Sequence, residues 1–162
     1  MSEQKKKNKV TLIIYLIGIP LCVAVAYFAS LQGEKSVTEL NNYHGFSLVA
    51  SENETDGSLK NRVEYYTYSD SFNPSVLEEL CKKKMKLYKK NMDFNSYNMV
   101  VFSSSQYVVR SKYPIGAKYG NELDKLKHIK AFFIYKPYNN FSELSYYEEN
   151  AAESIGVRKN IQ

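Results

Sequence analysis

The feature that most constrains this chain is an apolar run near its N-terminus, from Val10 to Leu31, which contains no charged residue. A helix needs about 20 residues to cross the ~30 Å hydrocarbon core of a bilayer, so the run is long enough for one span. Gly18 and Pro20 interrupt it, but membrane helices tolerate such residues where neighbouring groups satisfy the freed carbonyl. The run therefore predicts a transmembrane signal-anchor over residues 10–31.

The charges on either side of this run predict its orientation. Four lysines lie in the preceding tail, residues 1–9, whereas only Glu34 and Lys35 follow closely behind the run. Positive residues concentrate on the cytoplasmic side of a span. We therefore expect a single-pass protein of the cell membrane, with a cytoplasmic N-terminus and an extracytoplasmic C-terminal domain.

A cleaved signal peptide is the alternative interpretation of the same run. Ala24-Val25-Ala26 matches a small-x-small cleavage site, and cleavage after Ala26 would release a secreted domain. Apolar residues continue beyond that site to Leu31, which favours the uncleaved anchor.

Charge and cysteine usage exclude some classes of function. The N-terminal tail accounts for more than half of the net charge of +5, so the remaining chain is nearly balanced. A nucleic-acid-binding domain would instead cluster basic residues on a folded face. Cys22 lies within the apolar run and Cys81 is the only other cysteine, so the external domain has no internal disulfide and depends on its own core.

The rest of the chain divides into a juxtamembrane linker (32–44), an extracytoplasmic α+β domain (45–147) and a flexible C-terminal tail (148–162). The clearest element is an amphipathic helix from Pro74 to Met92, in which only Lys84 falls within the apolar arc. Two N-terminal caps fit it: Asn73 with Pro74 at the first helical position, or a Ser75–Glu78 capping box.

The predicted strands surround this helix in the sequence. Short strands over 45–51 and 62–69 would form a hairpin with a long polar tip containing Asp56-Gly57. The continuous apolar runs 98–102 and 129–135 indicate inner strands, whereas 141–147 fits either an edge strand or a helix start. The predicted fold class is α+β: one N-terminal transmembrane helix plus a small antiparallel sheet covered on one face by one amphipathic helix.

No motif of catalysis or of metal and cofactor binding is present. His44 and His128 lack metal-ligand spacing to each other or to a cysteine, and the serines lack a G-x-S-x-G context. Residues 116–120 lack the spacing of a phosphate loop. We therefore predict no catalytic, cofactor-binding or metal-binding residue, and an exported enzyme with a dispersed site remains the alternative.

The candidate binding residues are aromatic and basic. Tyr66 and Tyr68 share one face of a predicted strand and would contact a partner if that face is exposed, or pack under a second element if it is not. Lys84 would hold an anionic ligand, or lay its stem along the core with the ammonium in water. Arg110 and Lys112 begin a basic segment suited to acidic polymers or lipid head groups.

The sequence thus predicts a membrane-anchored binding or accessory domain. Its expected partners are the membrane, through one span, and a protein of the cell envelope. Neither nucleic acid nor a small-molecule ligand is expected.

Overall fold

The computed structural model describes residues 37–69, 71–89, 93–108 and 127–162. The chain divides into two compact units, Met1–Glu39 and Leu40–Gln162, and the second unit contains all the elements named below. They are β1 (Asn42–Tyr43), β2 (Phe46–Asp56), β3 (Leu59–Tyr68), α1 (Pro74–Lys89), β4 (Ser96–Phe102), β5 (Ile129–Lys136), β6 (Phe141–Tyr146) and β7 (Val157–Lys159). The seven strands form one sheet in sequence order.

Tight turns join the first three strands into an antiparallel ribbon. His44 and Gly45 both have positive φ angles, which suit a two-residue hairpin between β1 and β2. Asp56 pairs with Leu59 across the next turn, where Gly57 has a φ of 57°, a conformation that costs glycine little. The polar run expected to be a long hairpin tip therefore belongs to the paired strands.

Helix α1 connects β3 to β4 and reverses the direction of the chain. Asn73 caps it, because its Oδ1 accepts the backbone N–H groups of Ser75 at 3.0 Å and Val76 at 3.3 Å. A helix that runs back along the sheet returns the next strand parallel to the first, so β4 pairs parallel to β3. The remaining neighbours pair antiparallel.

Apolar side chains are buried on both faces of the central strands. On the α1 face, the helix residues Leu77, Leu80 and Cys81 belong to the same buried cluster as Met99 and Phe133 of the sheet. A second cluster is centred on the following residues of β2, β3, β4 and β5: Ala50, Val63, Tyr65, Val100, Phe102 and Ile129. A bulge between Val101 and Phe102 shifts the register of β4 and β5 and precedes the Phe102–Ile129 pair.

The predicted fold class is wrong in its sheet. The sheet has seven strands and is mixed, since α1 acts as a crossover that makes β3 and β4 parallel. Within the described residues no helix is both long and apolar enough to cross a bilayer. The long helix, α1, has 16 residues and carries lysines along its exposed side. The predicted transmembrane signal-anchor, residues 10–31, lies outside the described residues.

Two further segments differ from the sequence-based description. Residues 148–162, predicted as a flexible tail, contain β7 and the buried side chain of Ile161. The linker predicted for 32–44 includes β1 and the buried Leu40. Both segments are short and polar in sequence, and their order comes from pairing with a neighbouring strand, β1 with β2 and β7 with β6.

Candidate functional site

A buried carboxylate, Glu64 of β3, lies beneath α1 at the centre of a cluster of buried polar side chains. Its Oε2 accepts hydrogen bonds from the Lys84 ammonium at 2.8 Å, the Tyr97 hydroxyl at 2.9 Å and the Tyr66 hydroxyl at 3.2 Å. Its Oε1 accepts the Tyr88 hydroxyl at 2.7 Å. Both oxygens of the carboxylate thus accept hydrogen bonds and a cation lies beside it, which is the condition for keeping a charge inside a protein.

This arrangement shifts the pKa values of all its members. Burial opposes ionisation of Glu64, but the Lys84 charge and the donated hydrogen bonds outweigh it and hold the pKa of Glu64 below its ordinary value. Burial lowers the pKa of Lys84, and Glu64 opposes that shift. Burial and the neighbouring carboxylate raise the pKa values of the Tyr66, Tyr88 and Tyr97 hydroxyls. Glu64 is therefore an anion and the tyrosines are neutral donors near neutral pH.

The Lys84–Glu64 contact also sets which side of α1 faces outward. Lys82, Lys86 and Lys89 are four and three residues apart, so they share one helical face. With Lys84 turned inward, that face points toward the β6 and β7 side. Lys83 lies on the opposite flank, with its ammonium 5.4 Å from the centre of the Tyr43 ring.

A groove of about 640 Å³ runs along this lysine side of α1. Its other wall comes from the start of β6 and from residues 160–162. Apolar groups line it between the polar ones: Met85, the partly exposed Phe141 and the buried Ile161. The Ser142 hydroxyl donates to the Ile161 carbonyl, which fastens the C-terminal segment to the sheet. The groove therefore combines apolar surface with one positively charged wall.

The lysines of this wall are not equivalent. Lys82 lies 3.2 Å from Glu78, which also pairs with Lys159 at 3.3 Å, and these two hydrogen-bonded partners lower the pKa of Glu78. Lys86 and Lys89 have no ion-pair partner in the part of the chain that the structure describes. They are exposed, so their charges are available to an anionic ligand in the groove.

The structure places the sequence-predicted site residues in different environments. Tyr66 is fully buried and Tyr68 is half-buried, and both pack on the α1 side of the sheet instead of forming an exposed strand face. Lys84 does hold an anion, but the anion is Glu64 of the same chain. Arg110 and Lys112 lie outside the described residues.

Sequence reasoning missed the groove and the role of Glu64. The signal for the groove was the spacing of Lys82, Lys86 and Lys89, which places three charges on one helical flank. Which strand lies opposite that flank follows only from the tertiary fold. Across the described ranges, no set of three or more His, Cys, Asp or Glu side chains is arranged to hold a metal ion.

Comparison of the chain with known protein families, curated proteins and solved structures finds no match.

Proposed function

We propose that this domain is a binding module and that the groove beside α1 takes an acidic, partly apolar segment of another protein. The observation that carries the proposal is that Lys86 and Lys89, which have no ion-pair partner among the described residues, share one groove with apolar surface from Met85 and Phe141. Carboxylates of the segment would lie against the lysines, and its apolar side chains would cover the apolar residues.

The shape of the groove favours a polypeptide. Lys82 and Lys89 are seven residues apart on α1, so the charged wall extends about 10 Å along the helix at 1.5 Å per residue. An extended chain places alternate side chains on one face at about 6.6–6.8 Å intervals, so two acidic residues at alternate positions span much of that wall. Exposed charges of this kind contribute mainly to association rate and selectivity.

A binding titration with the full-length chain tests the proposal. The probe is a short fluorescein-labelled peptide in which glutamate and leucine alternate, and its control replaces each glutamate with glutamine. Fluorescence anisotropy is expected to show saturable binding of the acidic peptide, weakened by added salt because the lysines are exposed. Equal binding of the glutamine peptide would contradict a role for the lysine wall.

A pair of matched variants locates the binding. We expect the double charge reversal Lys86→Glu with Lys89→Glu to weaken binding about tenfold, equivalent to about 1.4 kcal/mol. The control is Lys83→Glu with Lys60→Glu, two exposed lysines outside the groove that give the same change in net charge. An equal loss in the control would show that the effect comes from net charge alone and would contradict binding in the groove.

A further inference from the structure

The loop that joins β6 to β7, residues 147–156, is acidic and partly apolar. It carries three exposed glutamates, Glu148, Glu149 and Glu153, and no basic residue. The carboxylates of Glu148 and Glu149 have no ion-pair partner in the part of the chain that the structure describes. The large apolar side chain of Ile155 has 96% of its surface exposed. The loop therefore has the negative charge and the apolar surface that the groove beside α1 complements.

Hydrogen bonds within and beneath this loop fix its shape. The side chain of Asn150 is buried at its centre, where Oδ1 accepts two backbone N–H groups of the following turn, both at 3.0 Å, and Nδ2 donates to the Glu153 carboxylate. The Lys130 ammonium donates to the backbone carbonyls of Glu148 and Glu149, which fastens the loop to β5 through the main chain. A segment that is ordered before it binds loses less conformational entropy on association.

The loop lies at the opposite end of β6 from the groove of its own chain. Phe141 and Ser142 at the start of β6 line the groove, whereas the loop follows Tyr146, the last residue of that strand. The backbone N–H groups of Tyr147 and Ala151 donate to carbonyls at the start of β5, which holds the loop at that end of the sheet. The length of β6 separates the two by about 17 Å at about 3.4 Å per residue. The groove can therefore receive this loop only from another molecule.

We propose that the occupant of the groove is the loop 147–156 of a second copy of this chain, an inference that rests on the function proposed above and names its partner. The carboxylates of Glu148 and Glu149 lie beside the lysines of the groove wall, and Ile155 packs on the apolar residues between them. Each copy offers one loop and one groove, so the contact is either reciprocal within a pair or continues from copy to copy.

Sedimentation velocity of the full-length chain over a concentration series measures this association. The groove variant is Lys86→Gln with Lys89→Gln, and the loop variant is Glu148→Gln with Glu149→Gln. Each is expected to weaken self-association at least about tenfold, because each removes two charges from one side of the contact. All four side chains are exposed, so the changes are expected to leave the fold intact.

A mixture of the two variants tests whether these two surfaces meet. The groove variant keeps an intact loop, and the loop variant keeps an intact groove. An equimolar mixture is therefore expected to form a one-to-one complex that neither variant forms alone. Only one unaltered contact is available in the mixture, so the complex is not expected to grow further. Its formation would also show that both variants are folded.

Matched variants separate the contact from net charge. Lys60→Gln with Lys83→Gln, and Glu79→Gln with Glu143→Gln, make the same changes in charge outside the groove and the loop. Both are expected to associate like the wild type. Ile155→Ser removes the exposed apolar side chain of the loop and is expected to weaken association at least about threefold.

The outcomes distinguish the loop from the groove. A chain that stays monomeric while the acidic glutamate–leucine peptide binds the groove would reject the loop as occupant and leave the proposed function standing. Self-association that survives both double variants, or variants that form no complex when mixed, would show that the loop and the groove do not meet. Absence of both peptide binding and self-association would contradict the groove itself.

Discussion

The Lys84 ammonium lies 2.8 Å from the Glu64 carboxylate, and neither side chain has more than 3% of its surface exposed. This ion pair joins the centre of α1 to the interior strand β3. It also fixes the rotation of the helix that carries Lys86 and Lys89 into the groove. A charge pair in the interior therefore supports a charged wall on the surface.

Breaking this pair is expected to be costly. Glu64→Gln leaves the Lys84 ammonium buried without its counter-charge, and losing one partner of a buried ion pair costs about 3–5 kcal/mol. Urea denaturation followed by circular dichroism measures the free energy of unfolding. The exposed Glu78–Lys82 pair is the control, because Glu78→Gln is expected to cost less than about 1 kcal/mol. Losses of equal size for both variants would contradict the role given to Glu64.

Acid is expected to destabilise the domain through Glu64. Its pKa in the folded state lies below the ordinary value of 4.5, so its stabilisation is present above that value and is lost as the pH falls through the folded-state pKa. Urea denaturation across this pH range is expected to show a steep loss of the free energy of unfolding in the wild type. In Glu64→Gln this loss is expected to be smaller. An unchanged slope in that variant would assign the acid sensitivity to other carboxylates.

The Tyr66 hydroxyl is expected to contribute to the stability of the fold. Tyr66→Phe removes the hydroxyl that donates to Glu64 and contacts the Leu40 carbonyl, and a hydrogen bond to a charged group contributes about 1.5–3 kcal/mol. Thermal denaturation measures the loss. Tyr68→Phe is the matched comparison, since Tyr68 is half-buried and its hydroxyl is not bonded to Glu64. Similar losses from both changes would contradict this assignment.

The helix cap at Asn73 is expected to make a measurable contribution. Asn73→Ala removes the acceptor for the Ser75 and Val76 amides, and the loss of such a cap costs about 0.5–2 kcal/mol. The exposed Ser71, which precedes the cap, provides the control change Ser71→Ala. Denaturation midpoints that do not differ between the two variants would indicate that the cap does not stabilise the fold.

Local signals predicted individual elements of the fold. The Asn73-Pro74 start of α1 is local chain chemistry, and the apolar runs that became β4 and β5 are recognisable without tertiary information. Sequence reasoning failed where distant segments decide the structure. The parallel pairing of β3 with β4 depends on how α1 packs. The order of β7 depends on a strand partner, since its three residues are exposed and carry little apolar signal.

The candidate site was less predictable because its contacts are long-range. Lys84 was the one basic residue in the apolar arc of the helix, which marked it as unusual. Nothing in the sequence identified Glu64, twenty residues earlier, as its partner. The environment of Tyr66 stayed open for the same reason: strand alternation gives its face of the sheet, and only the packing of α1 shows that the face is covered.

The most direct measurement for the central claim is methyl NMR of the full-length chain during titration with the alternating glutamate–leucine peptide. Met85 and Ile161 line the groove, whereas Val49 lies on the distant edge strand β2. The account predicts saturable shift changes for the methyl groups of Met85 and Ile161, no change for Val49, and loss of the changes in Lys86→Glu with Lys89→Glu. Unchanged Met85 and Ile161 signals at saturation, or equal changes at Val49, would contradict binding in the groove.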